Sequence, residues 1–174
     1  MKTDISGLVL RYLIMILAGI FLDVFYIIFT PLTVYPVYFL LSLIYPASLS
    51  GVTLIIGDRE IELINACIAG SAYFLLFVLN LSTEKIKLKK RALILLVDFS
   101  ALLVLNILRI FLLSILLIKE TVFFETVHII FWYLLSIVLV FLIWILTAKI
   151  FQIKAVPFYS DFASIKRLCR KKKK

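Results

Sequence analysis

The residues in this sequence that could do chemistry are few and lie far apart along the chain. There is one histidine, His128, and there are two cysteines, Cys67 and Cys169. A cysteine attacks a carbonyl carbon as the thiolate, a neighbouring guanidinium stabilises that anion, and a histidine transfers protons near neutral pH. Arg109, in the apolar segment "LNILRI", could supply the guanidinium. These residue types indicate acyl transfer through Cys67, assisted by Arg109 and His128.

The composition indicates which environment must position these residues. Hydrophobic residues make up 64% of the 174 residues, and the mean hydropathy is +1.18. Apolar residues make up about half of a soluble domain, so we expect lipid to be the solvent for most of this chain. The length leaves room for about four to six spanning helices of ~20 residues and for no separate soluble domain.

The sequence contains five apolar runs, at about 8–29, 34–49, 65–81, 92–118 and 122–148. They predict an all-α membrane protein with about five transmembrane helices in one bundle. Pro31 and Pro36 separate the first two runs, which predicts a turn and an antiparallel pair of helices. The segment "SGVTLIIGDREIELIN", with β-branched residues around Gly57 and Asp58, predicts a short extracellular β-hairpin before the third helix.

Basic residues determine the expected orientation, because cytoplasmic loops of membrane proteins are enriched in lysine and arginine. The segment "STEKIKLKKR" carries five such residues, and the tail from Lys149 onward carries nine. We expect an integral membrane domain over residues 1–150 and a basic cytoplasmic tail over residues 151–174 that contacts lipid headgroups. The hairpin and the N-terminus are then expected outside. The net charge of +9 is assigned to topology rather than to nucleic acid.

The expected depths of the reactive side chains agree with one another. If the fourth helix starts at Arg91 on the cytoplasmic surface, Arg109 lies about 27 Å further along, near the outer boundary of a core of ~30 Å. Cys67 is expected in the first turn of the third helix, and His128 near the start of the fifth, both outside. Asn106 precedes Arg109 by three residues, shares its helix face, and could orient the guanidinium.

Each of these residues also has an ordinary structural interpretation. A cysteine in a membrane helix is often a small packing residue, and an arginine near a helix end often extends to the headgroups. A single interfacial histidine is often without a role in catalysis. The shared depth of Cys67, Arg109 and His128 favours the functional interpretation.

The order of these motifs resembles the archaeosortase/exosortase family of membrane transpeptidases. The resemblance covers residues 51 to 148: the hairpin, the cysteine in "ACIAGSAYFLL", the arginine in "LNILRI" and a histidine on the following helix. It implies that Cys67 is the nucleophile and that Arg109 and His128 complete the site. Ala69 stands where many bacterial members of the family have glycine, and the chain has fewer helices than the larger members.

The resemblance also implies a function. Such a protein cleaves a C-terminal sorting signal, made of a short motif, a membrane helix and basic residues, from secreted proteins, and transfers them to an amine on a lipid. It needs no cofactor or metal, works in the cell membrane with its site on the extracellular face, and keeps its C-terminus in the cytoplasm. Its partners are membrane lipids and secreted substrates, and no nucleic acid.

A second interpretation is a small non-enzymatic membrane protein, such as a transporter subunit or an assembly factor. It would use Asp23, Asp98 and Arg109 as polar contacts within the membrane, with Cys67 incidental. The two interpretations predict different depths for the polar residues. A transport path needs polar groups spread across the membrane, whereas a peptidase needs them at one level. Asp98 fits the transport interpretation better.

Overall fold

The structure is a computed structural model that describes residues 5–84, 86–120, 124–130, 136–153 and 157. Its elements, in chain order, are α1 (Ile5–Ile20), α2 (Asp23–Ser42), β1 (Ala47–Ser50), β2 (Thr53–Ile56), β3 (Arg59–Glu62), α3 (Asn65–Ile68), α4 (Gly70–Leu81), α5 (Leu88–Ile118), α6 (Phe124–Ile129) and α7 (Ser136–Ile150). Cys169 and most of the basic tail lie outside the described residues.

The prediction of about five transmembrane helices with one β-hairpin is wrong. The described residues form seven helices and a three-stranded antiparallel sheet. Two helices, α2 with 20 residues and α5 with 31, are long and apolar enough to cross a membrane. At about 1.5 Å per residue they are about 30 and 46 Å long. Helices α1, α4 and α7 are apolar but shorter.

The first two apolar runs divide at a different place from the one predicted. Pro31 and Pro36 lie inside α2, and the interruption between α1 and α2 falls at residues 21–22. A helix embedded among other helices tolerates proline, because neighbouring groups replace the lost backbone hydrogen bonds. The two prolines therefore mark no turn in this chain.

Helices α1 and α2 both run antiparallel to α4 and are not a pair antiparallel to each other. Arg11 of α1 donates to the carbonyl oxygen of Leu81 (3.0 Å) at the C-terminal end of α4, and Gly19 lies beside the ring of Phe74. On α2, Phe25 contacts Phe77, and Phe29, one turn later, stacks on Tyr73, one turn nearer the start of α4, with ring centroids 3.5 Å apart.

The third apolar run is divided by Ala69, whose φ of +61° is left-handed. This residue ends the single turn of α3 and turns the chain into α4, which at 12 residues is about 18 Å long. Gly70, the first residue of α4, lies against Tyr26 of α2. A Cβ at position 70 would lie 2.7 Å from the Tyr26 ring, so glycine permits the close approach of the two helices.

The sheet has the strand order β1-β2-β3 and two tight turns. Ser50 pairs with Thr53 and Ile56 pairs with Arg59, which leaves a two-residue loop at each turn. Glycine occupies the first loop position both times, with φ +64° at Gly51 and +59° at Gly57, as a type II′ turn requires. The sequence indicated the second turn but missed β1, because residues 47–49 of its "ASLS" lie at the end of the apolar run 34–49, which was assigned to a helix.

Helix α5 organises the described helices, and α2, α4 and α7 pack against it. Its buried face repeats every three or four residues, as in Ile94, Asp98, Leu102 and Asn106. Large apolar side chains are exposed on the outer faces of α1, α2, α5 and α7. Contiguous apolar surface is unfavourable in water, so this exposure and the two long apolar helices support association with a membrane.

One end of the helices carries basic side chains on backbone carbonyls. Arg91 is buried and donates to the carbonyl oxygens of Asn80 and, at 2.9 Å, of Thr83, at the end of α4. Arg11 also reaches the Thr83 oxygen, at 3.3 Å, and Lys90 reaches that of Phe151, at 2.6 Å. The beginning of α1 therefore lies at the same end as the basic 82–91 segment, so the predicted outside position of the N-terminus does not fit an inside position of that segment.

Candidate active site at the sheet end of the helices

A cavity of about 260 Å³ lies where β3, α3, α5 and α6 meet. Cys67, Arg109 and His128 all line it, although they are distant in sequence and belong to three different helices. Apolar side chains, among them Leu113 and Leu117, form much of the remaining wall. The structure thus brings the three predicted site residues together around one space large enough for part of a peptide.

Cys67 is the third residue of α3, which follows β3 after two residues. Its backbone N–H donates to the carbonyl oxygen of Ile64 (2.8 Å). The turn at Ala69 ends α3 after one turn, so the carbonyl oxygens of this short helix need partners from elsewhere in the protein. Two residues of α5 provide such partners.

Asn106 and Arg109 both hold the backbone of α3. The Asn106 side-chain amide donates to the carbonyl oxygens of Cys67 (2.8 Å) and Ile68 (3.4 Å), and the Arg109 guanidinium donates to that of Ala66 (3.4 Å). Asn106 was predicted to orient Arg109, and its amide bonds directly to the carbonyl oxygen of Cys67, the predicted nucleophile. Asn106 and Arg109 thus connect the segment around Cys67 to α5, the longest of the described helices.

Burial and charge have opposite effects on the Cys67 thiol. Burial raises the pKa of Cys67 above its ordinary value, and this effect is larger than the lowering caused by the positive charge of Arg109 and by the hydrogen bond involving Ile64. The neutral thiol is therefore favoured at neutral pH, so Arg109 does not by itself produce a stable thiolate. Attack on a carbonyl then requires a base that takes the thiol proton as the bond forms.

His128 lies on α6 and is half-buried. Its ring stacks on that of Phe124, one helical turn earlier, with centroids 5.5 Å apart and planes within 10°. Residues four apart share one face of a helix, so this stacking restricts the imidazole to one side of α6. Phe124 and His128 both line the cavity. The imidazole therefore borders the same space as the Cys67 thiol.

The sequence did not indicate that β3 also forms a wall of this cavity. Glu60 and Glu62, both exposed, line it together with the backbone that leads to Cys67. Arg59 connects β3 to the end of α5 by donating to the Leu117 carbonyl oxygen (3.1 Å) and by an ion pair with Glu120. The alternation in "REIELI" predicted a strand, but no local pattern shows which helix a strand will contact.

Side chains of several chemical types line the cavity. Within the described residues, no three histidine, cysteine, aspartate or glutamate side chains cluster closely enough to hold a metal ion. The cavity combines a thiol, an imidazole and a guanidinium with an acidic strand at its border. This combination suits a peptide carbonyl group, which accumulates negative charge when it is attacked.

Comparison with family models, curated proteins and solved structures finds no match to this chain. The resemblance to archaeosortases and exosortases rests on the order of the residues in the sequence.

Proposed function

We propose that this chain is a membrane-embedded cysteine peptidase or transpeptidase of the archaeosortase/exosortase type. One observation carries the proposal: the only histidine of the sequence, one of its two cysteines and an arginine from an apolar helix line a single cavity. Any one of these residues could have a structural role. Their convergence from α3, α5 and α6 is what acyl transfer requires.

In the first step the Sγ atom of Cys67 attacks the carbonyl carbon of a substrate peptide bond. His128 takes the thiol proton as the S–C bond forms, and Arg109 stabilises the negative charge that develops on the carbonyl oxygen. One such donor is worth about 3 kcal/mol in enzymes in which it has been removed. The C–N bond then breaks, and the leaving amine takes the proton from His128. The product is a thioester on Cys67 and a free C-terminal peptide.

In the second step an amine or water attacks the thioester. His128 accepts a proton from this nucleophile, the C–S bond breaks, and Cys67 recovers its proton. Attack by an amine on a lipid gives a lipid-anchored protein, whereas attack by water gives a free carboxylate. No cofactor takes part in either route.

The proposed substrates are secreted proteins that end in a short motif, a membrane helix and basic residues. The proposed location is the cell membrane, with several crossings of the chain, the sheet and cavity on the extracellular side, and the basic 82–91 segment and the C-terminus in the cytoplasm. The charge distribution supports this orientation, because Arg11, Lys90 and Arg91 cluster at the end of the helices opposite the cavity.

The backbone at Ala69 also supports the family resemblance. Many bacterial members of the family carry glycine at this position, where this chain departs from them, and Ala69 has the left-handed φ of +61° that glycine adopts without steric cost. A requirement for positive φ two residues after the nucleophile would explain a preference for glycine there. The alanine of this chain fits the same backbone at some cost in stability.

The non-enzymatic alternative is favoured by Asp98. This residue is fully buried on α5, about 16 Å from Arg109 along the helix axis. A buried carboxyl group at that depth has no role in acyl transfer at the cavity, whereas a transport path would use it. The experiment below separates the two functions, since it changes the thiol and leaves Asp98 intact.

The test is the processing of a secreted reporter that carries a candidate C-terminal signal and is co-expressed with the full chain. Cys67→Ser should abolish processing, because a hydroxyl is scarcely ionised at neutral pH although it is nearly isosteric with the thiol. Cys169→Ser, which changes the other cysteine, should process at the parental rate. Gel shift and mass spectrometry report the product, and immunoblotting reports the amount of each variant.

Processing by Cys67→Ser at the parental rate would exclude the thiol mechanism and favour the transporter or assembly function. In that case Asp98→Asn should impair the host phenotype that the gene supports, whereas Cys67→Ser should not.

A further inference from the structure

Strand β3 is an edge of the sheet, and the edge borders the cavity. In the order β1-β2-β3, the outer side of β3 pairs with no strand of the described residues. Residues 60 to 64, which comprise the end of β3 and the link to α3, line the same cavity as Cys67. A strand edge next to a nucleophile is the element that extended peptides use for recognition, because its backbone groups accept another strand.

The pairing register shows which backbone groups point outward. Arg59 closes the two-residue turn opposite Ile56, and Leu63 donates to the carbonyl oxygen of Val52 (3.1 Å). In an antiparallel pair the hydrogen-bonded residues alternate, so positions 59, 61 and 63 bond to β2. The N–H and C=O groups of Glu60 and Glu62 therefore point to the outer edge.

The direction of β3 is known from its contacts with α5. At one end of the strand Arg59 donates to the Leu117 carbonyl oxygen, near the C-terminal end of α5. Beyond the other end, the Cys67 carbonyl oxygen accepts from Asn106, which lies about 16 Å nearer the N-terminal end of α5 than Leu117 does. Strand β3 thus runs alongside α5, from the C-terminal end of that helix toward Cys67.

We propose that a substrate peptide adds to the outer edge of β3 as a fourth, parallel strand, with its backbone paired to Glu60 and Glu62. This proposal rests on the function proposed above. A substrate whose folded part lies outside and whose C-terminal helix enters the membrane runs in the same direction as β3. Its residues before the scissile bond then lie along β3, and the scissile carbonyl arrives at Cys67.

Backbone pairing explains how one site could serve many secreted proteins. Main-chain hydrogen bonds supply affinity without regard to side chains, whereas the apolar wall formed by Leu113 and Leu117 selects the side chains that face it. Arg59 connects the two walls, because it donates to the Leu117 carbonyl oxygen of α5 (3.1 Å) and pairs with Glu120 just beyond that helix.

The experiment uses the purified full chain with Cys169→Ser and a peptide probe, acetyl-Val-Val-Ala chloromethyl ketone. The Cys67 sulfur displaces chloride from the probe, a thioether forms, and the thiol proton passes to the buffer. The rate is measured by mass spectrometry and divided by the rate with iodoacetamide, which has no peptide to bind. We expect this ratio to fall at least tenfold when one backbone amide of the probe is N-methylated, and to change little when the neighbouring amide is methylated.

Two variants test the strand side of the pairing. Glu60→Pro and Glu60→Ala both remove the carboxylate, but only proline removes the outward N–H, and an edge strand tolerates proline at such a position. The ratio of the peptide-probe rate to the iodoacetamide rate should fall at least tenfold further in Glu60→Pro than in Glu60→Ala. Thermal unfolding compares the stability of the two variants, and iodoacetamide compares their thiol reactivity.

Equal effects of methylation at every amide, no effect at any amide, or equal rates for the two Glu60 variants would overturn the edge proposal. This result is distinct from failure of the proposed function. If reporter processing depends on Cys67 but N-methylation has the same effect at neighbouring amides of the probe, only the strand pairing is refuted. If methylation at neighbouring amides has different effects but processing survives Cys67→Ser, only the peptidase function is refuted.

Discussion

At the scale of single residues, burial and the positive charge of Arg109 have opposite effects on the pKa of the Cys67 thiol. In the reaction proposed above, the thiol needs a partly desolvated site, because the same site strengthens the attraction of Arg109 for a developing oxyanion. The cost is a raised thiol pKa, which the guanidinium lowers only in part. The arrangement favours a thiol that reacts when a base and a carbonyl are both present, rather than one that is always ionised.

The pH dependence of alkylation follows from the raised pKa of Cys67. In the Cys169→Ser background the iodoacetamide rate should rise about tenfold per pH unit and continue to rise above about pH 8.5, where an ordinary cysteine begins to level off. The rate rises with pH because the thiolate is the reactive form. Burial favours the protonated thiol, so the thiolate of Cys67 appears only at higher pH. A pH series quantified by mass spectrometry measures the profile.

Arg109→Gln is the matched variant for this profile. It removes the positive charge that lowers the Cys67 pKa, so the profile should shift to still higher pH and the rate at pH 7 should fall. An unchanged profile in Arg109→Gln would show that the charge does not act on the thiol.

The sequence predicted which residues meet at the site but not how they are held. The meeting of Cys67, Arg109 and His128 follows from helix rise and chain direction, because 1.5 Å per residue fixes depth well enough to compare helices. The contact of Asn106 with the Cys67 carbonyl could not be predicted in this way. It depends on the left-handed turn at Ala69, a tertiary feature that no periodicity reveals.

At the scale of elements, the turn at Ala69 divides one apolar run into α3 and α4. A left-handed conformation costs an alanine about 1–2 kcal/mol, because Cβ crowds the following carbonyl oxygen. Ala69→Gly should therefore raise the free energy of unfolding by up to about 1 kcal/mol, since part of the gain is lost to the greater freedom of glycine in the unfolded chain. Thermal unfolding in detergent measures the change.

Ala72→Gly is the control for Ala69→Gly. Ala72 lies in the right-handed part of α4, where glycine costs about 1 kcal/mol relative to alanine. The two substitutions are chemically identical and three residues apart, but their effects should have opposite signs. Destabilisation by both would contradict the left-handed assignment at position 69.

Other element boundaries show why an apolar run does not define a helix. Pro31 and Pro36 were sufficient to predict a turn from sequence, yet both lie within α2. Hydrophobicity indicates that a segment is buried or in lipid, and proline indicates a missing donor, but neither indicates whether neighbouring helices compensate. Gly57 and Asp58 were predicted to form the hairpin turn, and the strands do turn there, because a tight turn depends on local geometry.

At the scale of the whole molecule, basic side chains are concentrated at one end of the helices. That end carries Arg11, Lys90 and Arg91, whereas the sheet end mixes Glu60, Glu62 and Glu120 with Arg59 and Arg109. In the orientation proposed above, the basic end lies in the cytoplasm. The whole-molecule orientation can therefore be tested without any assay of activity.

In a variant with Cys67→Ser and Cys169→Ser, Asp58→Cys should react with an impermeant maleimide in intact host cells, because the turn at Gly57 is exposed at the sheet end. Lys89→Cys, exposed at the basic end, should react only after the cells are permeabilised. Mass-shift gels report both reactions. The reverse pattern would place the cavity in the cytoplasm, where no secreted substrate could reach it.

The binding of the last carbonyls of α4 by Arg11 and Arg91 has a consequence for the order of synthesis. Arg11 emerges from the ribosome before α4, but Arg91 emerges after it, so the nascent chain holds an incompletely satisfied helix end until α5 begins. Carbonyl oxygens at a helix end need partners wherever neighbouring elements exclude water from them. The end of α4 should therefore become fully ordered only after the start of α5 has been synthesised, which makes these two helices a single unit of folding.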